Sequence, residues 1–426
     1  MTDTPRSATL FTFNVGFGDC FLLRFQYPGS MRRHVLVDFG STRQPESRPS
    51  NYLSRVAAQI KDLCGGKLDV VVATHRHKDH IYGFRTNKKG DAPGNIISSC
   101  NPTLVLQSWT EHPDAPTDAT ASPHQRAFAK ALVNMNTFSK AIYRLAKADE
   151  KRQMFDSNTR QALSFLGENN ISNKSAVKNL MSMGANHRYV CFGQDAGTSD
   201  ILPGVGVDVL GPPTLAQNDK IAKQRSRHEE EYWHLHAAAA VAGLTAEDSD
   251  ALFPGTVAAE LPPWARWGRT RLRNIRSGML MPIVRRLDKQ MNNTSLILLF
   301  SVGGKSLLFP GDAQWENWSH ALDQPDVRDK LKTVDLYKVG HHGSLNATPK
   351  TLWELFENRG PATKPDRLTS VMSTKHGVRG HSKKTAVPRA TLVEALKSDT
   401  NYESSEKIKI KRASTEFYSK VELSFG

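Results

Sequence analysis

Cysteine is scarce in this 426-residue chain: there are four, at positions 20, 64, 100 and 191, with no C-x-x-C pair among them. That spacing excludes a disulfide framework and fits small buried residues of a reducing compartment. Long hydrophobic runs are also missing. No stretch approaches the ~20 apolar residues that span a bilayer, and Met1-Thr2-Asp3-Thr4-Pro5-Arg6 lacks the apolar core of a signal peptide. The expectation is no membrane insertion and a cytoplasmic location. Neither an internal repeat nor a long low-complexity linker is visible. Acidic residues are outnumbered, 42 Asp and Glu against 57 Lys and Arg, which leaves a formal net charge of +15. Such an excess suits a polyanionic partner such as nucleic acid, a phosphorylated substrate or an acidic membrane surface. It is equally compatible with a generally basic soluble protein. Hydrophobic residues at 38% and charged residues at 23% are ordinary for a globular chain. The length accommodates either one large α/β domain with an insertion or roughly two to three domains.

What the chain does have is a concentration of metal-ligating side chains. The apolar run Leu68-Asp69-Val70-Val71-Val72-Ala73 passes directly into Thr74-His75-Arg76-His77-Lys78-Asp79-His80. A strand that buries itself and then releases three histidines and an aspartate is poorly explained as a solvated loop. The nitrogen and oxygen donors of His75, His77, Asp79 and His80 suit Zn²⁺ or, with more carboxylate or water, Mn²⁺ or Fe. Their spacing lets alternate residues of a turn point into one cavity, where two adjacent metals could share the segment.

The rest of the chain alternates strands and helices. Ala8 to Val15, Cys20 to Phe25 and His34 to Gly40 read as strands at hairpin spacing, broken by Gly16-Phe17-Gly18-Asp19. Asp38 ends one of them, where a carboxylate either orients a neighbouring ligand or simply turns the chain. Tyr52 to Leu63 has helical spacing and stops at Gly65-Gly66. From about 113 to 292 the character changes: Ala127 to Leu145, Asn158 to Leu166 and Lys174 to Met183 are helical in pattern, with a return strand near 205–210. Arg266, Arg269, Arg271, Arg273, Arg276, Arg285, Arg286 and Lys289 crowd together there, as a track for a polyanion backbone or as a solvated basic face. Regular α/β structure resumes at Thr294, and strand-like runs deliver Pro310-Gly311-Asp312-Ala313, Gly340-His341-His342-Gly343-Ser344 and Gly380-His381-Ser382. Val387 to Leu396 reads as a helix, and the last twenty residues alternate like terminal strands.

In this order the H-x-H-x-D-H segment, Gly311-Asp312 and His341-His342-Gly343 resemble the metallo-β-lactamase-fold hydrolases. Finer matches resemble the soluble domain of the ComEC DNA-uptake competence proteins and their free-standing relatives. They are Val15-Gly16-Phe17-Gly18-Asp19-Cys20, Asp38-Phe39-Gly40, Asn293-Thr294-Ser295-Leu296, Lys338-Val339-Gly340-His341-His342-Gly343-Ser344 and Gly380-His381. The resemblance flanks the middle stretch without covering it. It implies an αββα metallo-β-lactamase sandwich, its first half at 1–112 and its second at 293–426, around a largely helical insertion at 113–292. His75 and His77 would then hold one divalent ion, and Asp79 and His80 the other. Asp312 would bridge the two, and His341 would complete the second site with His342 turned toward substrate, an order open to exchange. His77 stands where the competence branch often has Asp, which favours zinc over manganese. The superfamily's third motif has no clear counterpart; His112 is its best candidate, with His124, His187, His228, His234 and His236 behind it. The membrane helices that accompany the competence proteins are absent, so DNA import does not carry over.

The resemblance further implies a hydroxide between the metals as nucleophile, with Asp79 orienting it or taking its proton. His342 or His381 would assist the leaving oxygen; His381 reads equally as a turn histidine. Together with the basic excess, this favours a phosphodiesterase, and first a nuclease acting on DNA or RNA, with Arg269, Arg271, Arg273 and Arg276 binding the polymer. Hydrolysis of a small phosphodiester or phosphocholine-type ester is the second reading. A non-catalytic nucleic-acid-binding module with a structural metal is the third. A structural site closes at about four ligands, fewer than this set supplies.

Overall fold

The computed structural model describes residues 4–112, 174–214, 216–218, 292–345, 348–379 and 386–425. Three antiparallel strands open the chain: β1 (Ser7–Phe13), β2 (Cys20–Gln26) and β3 (Arg32–Phe39). Their side chains alternate between two apolar layers, with Leu10, Phe21 and Val35 on one face and Phe11, Leu22 and Leu36 on the other. A strand buried on both faces carries no polar alternation. The chain then adopts helix-to-strand crossovers. Helix α1 (Tyr52–Leu63) leads to β4 (Val70–Ala73), and a four-residue helix α2 (Lys78–Ile81) follows. Helix α3 (Pro93–Ser98) leads to β5 (Leu104–Ser108), and α4 (Lys174–Leu180) to β6 (Asn186–Val190). Strands β3 to β6 are mutually parallel, as crossovers of this length require.

A second sheet contains β7 (Gly206–Gly211), β8 (Ile297–Val302), β9 (Lys305–Phe309), β10 (Leu336–Lys338), β11 (Thr369–Met372) and β12 (Asn401–Ser404). Its helices are α5 (Trp315–Leu322), α6 (Pro325–Lys332), α7 (Lys350–Leu355) and α8 (Ala390–Asp399). Strand β13 (Tyr418–Ser424) returns to the first sheet and pairs antiparallel with β1. The sheet orders are β13-β1-β2-β3-β4-β5-β6 and β12-β11-β10-β9-β8-β7. Each has an antiparallel half and a parallel half, and β9 to β12 are parallel.

One apolar layer holds residues of both sheets, among them Leu10, Val72, Leu298, Leu307 and Val371, so the sheets face each other. A second layer joins the opposite face of the first sheet to α1, α3 and α4. A third joins the outer face of the second sheet to α5, α6, α7 and α8, with Trp318 fully buried at its centre. The order is helix, sheet, sheet, helix, which is mixed α/β architecture with each apolar face covered. None of the described helices is long and apolar enough to cross a membrane.

Of the stretch read as a largely helical insertion over 113–292, the structure describes residues 174–214, 216–218 and 292. The described residues of 174–214 belong with those of 4–112 and 292–425 in one compact unit. The strand expected near 205–210 is β7, antiparallel to β8. Helix α4 and strand β6 also belong to the main unit. The short α4 fills the layer under the first sheet with Ala176 and Leu180. Edge strand β6 is half exposed, and its Asn186-His187-Arg188-Tyr189-Val190 shows little of the apolar signal that marks the inner strands. The helices expected at 127–145 and 158–166 lie outside the described residues.

Strand β3 also carries a pH-sensitive element. Burial, and then the nearby Arg24, Arg32 and Arg33, lower the His34 imidazole from 6.5 to about 4. Its stabilising neutral form is present above the unfolded value of 6.5, and the contribution is lost as pH falls from there toward 4. Stability is expected to drop by about 2 kcal/mol more between pH ~7 and pH ~5 in the native chain than in His34→Gln. Urea midpoints at the two pH values measure the difference; equal drops would remove His34 from the account.

Candidate metal centre

Histidines and carboxylates converge where the parallel strands of both sheets end. Asp38 lies at the end of β3, and His75 and His77 follow β4. Asp79 and His80 ride on α2, Asp312 follows β9, and His341 and His342 follow β10. Parallel strands leave a crevice at their carboxyl ends because the chain must depart there in alternate directions. His75, His77, Asp79, His80, Asp312 and His342 are each at most 2% exposed.

His80 is the hub. Its Nδ1 lies 2.7 Å from Asp38 Oδ2 and 3.7 Å from Asp19 Oδ2, and its Nε2 lies 3.1 Å from Asp312 Oδ2. Its ring packs against His75 with centroids 4.2 Å apart and the planes tilted by 49°. His342 Nε2 approaches Asp79 Oδ2 at 3.2 Å, while its Nδ1 meets the Ser373 carbonyl at 3.0 Å and Asp19 Oδ1 at 3.4 Å. His75 Nε2 and His77 Nδ1 face each other at 2.9 Å. His75, His80 and Asp312 form one grouping able to hold a cation, and Asp79, His80 and His342 form another. A third, Asp19, Asp38 and His80, lies on the Nδ1 side of His80.

The electrostatics follow from this packing. Burial, then His80 and His77, push the His75 imidazole well below its usual value, which leaves its nitrogens neutral. Burial works against charge on His80 too, but Asp312 and Asp38 outweigh it and raise His80 well above its usual value. His342 is raised to about 10: burial opposes the charge and Asp19 overcomes it. Asp79 and Asp312 are held low by surrounding imidazoles in spite of burial.

The residues fit a divalent ion. Ligands about 2.1 Å from a tetrahedral zinc lie about 3.4 Å from each other, and the contacts at 2.9, 3.1 and 3.2 Å within this cluster approach that spacing. Asp79 Oδ1 and Asp312 Oδ1 are buried and accept no hydrogen bond from the described residues, acceptors that a cation would satisfy.

Backbone geometry explains the short-range motifs. Asp38 (φ 56°), His341 (φ 41°) and His342 (φ 53°) are all left-handed, a conformation that costs non-glycine residues about 1–3 kcal/mol each and clusters at functional sites. Asp38 also accepts Thr74 N–H at 2.8 Å and Thr74 O–H at 2.7 Å, which ties the end of β3 to the turn after β4. Ser295 Oγ accepts the Asp312 N–H at 3.2 Å, and Asn293 Oδ1 the Gln314 N–H at 3.3 Å, so Asn293-Thr294-Ser295 clamps the aspartate turn. Gly40 passes so close to α2 that a Cβ there would lie 2.3 Å from the Asp79 carbonyl carbon.

Several expected residues lie elsewhere. His342 reaches Asp79 and His80, while His341 stands beside Asp312. His341 Nε2 is 3.7 Å from Asp312 Oδ2 and 3.2 Å from the half-buried Arg379 guanidinium. His112 is exposed and packs edge-on against Tyr189, outside the cation groupings. His187 pairs with Val105 near the start of β5, at the opposite strand end. His77 borders His75 without belonging to a grouping. His381, Arg269, Arg271, Arg273 and Arg276 lie outside the described residues, as do His124, His228, His234 and His236. Asp19, which had no assigned role, is fully buried against His342 and His80. Its one sequence signal is its place after Gly16-Phe17-Gly18.

No protein-family model matches the chain, and no curated protein matches it.

Proposed function

We propose that this protein is a metal-dependent phosphodiesterase with a metallo-β-lactamase-type sandwich, a nuclease acting on DNA or RNA. The observation that carries the reading is the convergence of His75, Asp79, His80, Asp312 and His342 from both sheets into one buried cluster. The net charge of +15 supports a polyanionic substrate. Two divalent ions, zinc ahead of manganese, would be held by His75, His77, Asp79, His80, Asp312 and His342. When bound, such ions supply Lewis acidity and acidify water toward neutral pH.

The chain's own groups do the rest. Asp79 Oδ1, buried and without a hydrogen-bond donor among the described residues, orients the attacking water or takes its proton. His341 and Arg379 form the less buried side of the cluster, where a guanidinium neutralises phosphoryl charge and an imidazole assists the leaving oxygen. His381 remains a candidate for that proton.

The test uses protein stripped of metal with a chelator and resupplied with Zn²⁺ or Mn²⁺. Labelled single- and double-stranded DNA and RNA are offered beside bis-p-nitrophenyl phosphate, with Asp312→Ala as control. Metal-dependent polymer cleavage that disappears in the control is expected. Turnover of the small ester alone would replace the nuclease with a small-phosphodiester hydrolase. Metal uptake with no turnover of any substrate would point to a binding module.

A further inference from the structure

Strand β10 carries a lysine where its pattern calls for an apolar residue. Side chains alternate along a strand, Leu336 faces the layer between the sheets and Tyr337 the outer helices, so Lys338 shares the inward face. It is 2% exposed, and its ammonium lies 5.8 Å from the centre of the Phe21 ring inside that layer. A buried charge persists only where it is paired and hydrogen-bonded. Lys338 Nζ is in direct contact with Asp19 Oδ2. It donates to the Gly311 carbonyl at 3.2 Å and stands 4.0 Å from Asp312 Oδ1. Asp19 in turn presents Oδ1 to His342 Nδ1 at 3.4 Å and Oδ2 to His80 Nδ1 at 3.7 Å.

The grouping of Asp19, Asp38 and His80 has the composition of another cation site, and the lysine reaches it from behind. A metal-ligating histidine is oriented by the partner on its other ring nitrogen. Asp19 lies on that side of two such histidines at once, 3.4 Å from His342 Nδ1, which also meets the Ser373 carbonyl at 3.0 Å, and 3.7 Å from His80 Nδ1, which Asp38 approaches at 2.7 Å.

We propose that Lys338 is a positioning residue, a cation built into the chain that fixes Asp19 behind His342 and His80. The inference rests on the metal-centre reading of the cluster. Lys338 touches no reacting group; it acts through Asp19. Without its ammonium, Asp19 loses its closest partner and the imidazoles lose a fixed backstop.

A double-mutant cycle over Lys338→Met, Asp19→Asn and the double variant tests this, read by Zn²⁺ competition with a chromophoric chelator and by the visible spectrum of the Co²⁺-loaded proteins. Each single variant is expected to lose about 10–100-fold in Zn²⁺ affinity, the range typical of such orienting partners, with an altered Co²⁺ spectrum. In the Asp19→Asn background, Lys338→Met should change affinity less than about twofold, since coupled residues do not add. Additive losses, or a Lys338→Met variant with native affinity and spectrum, would overturn the inference. Native protein that takes up neither metal would overturn the metal-centre reading and this inference with it. Melting curves in chelator report folding. If Lys338→Met does not fold, Asp19→Asn alone decides: native affinity and spectrum there would sink the proposal.

Discussion

Replacing His80 with alanine is expected to abolish metal-dependent turnover and to destabilise the chelator-treated protein by about 3–5 kcal/mol. The imidazole is fully buried and stands among three carboxylates, 2.7 Å from Asp38, 3.1 Å from Asp312 and 3.7 Å from Asp19. Removing it leaves those carboxylates facing one another in a dry site, and a charge deprived of its partner costs more than the pair ever contributed. The pH dependence has a definite sign. His80 is raised well above its usual value in the folded chain, so its contribution is fully present below the unfolded value and fades as pH rises through the folded one. Denaturant titration in chelator at neutral and alkaline pH, with zinc content measured alongside, checks both parts. Native zinc content in His80→Ala would separate the metal from this cluster.

The second large effect is steric. A Cβ on Gly40 would sit 2.3 Å from both Asp79 C and His80 N and 2.4 Å from the Asp79 carbonyl oxygen. These are backbone atoms, so no side-chain rotation relieves the overlap, and α2 must move with Asp79 and His80. Nearby hydrogen bonds from Asp19 N–H to Asp79 O at 2.9 Å and from Gly40 N–H to Asp19 O at 2.8 Å would shift as well. Gly40→Ala is expected to cost about 1–3 kcal/mol and to lower metal affinity by about two orders of magnitude, comparable to losing an orienting partner. Gly206→Ala is the matched control, because its added carbon meets nothing closer than 3.6 Å. Calorimetric melting and zinc competition on the two variants should differ clearly; like behaviour would mean that the Gly40 contact is relieved without disturbing α2.

Much of this was visible before the structure because the relevant signals are local. The helix read over Tyr52 to Leu63 has the same limits as α1, since its apolar stripe, its glycine stop and its packing all agree. The histidine segment after β4 was equally plain: four residues of apolar strand give way, after Thr74, to three histidines and an aspartate. Asp38 could be read as an orienting carboxylate, and it contacts His80. Less could be read where meaning depends on pairing across the molecule. Asp19 looked like a turn residue, and only the approach of β10 from the other sheet makes it the neighbour of Lys338 and His342. Nothing in His341-His342 announces two successive left-handed residues, so the inward histidine could not be told from its neighbour. Strand β6 was missed because an edge strand with one covered face needs few apolar residues.

The pairing of β1 with β13 has a consequence in time. Ser7 finds its partner Ser424, so a chain made at about 5–20 residues per second holds the outer edge of β1 unpaired for roughly 20–80 s of synthesis. An open edge invites foreign strands. The candidate cluster obeys the same schedule: His75 and His80 emerge long before Asp312 and His342. The cluster is therefore assembled only in a nearly complete chain, and a ribosome stalled inside the second sheet leaves a product without it.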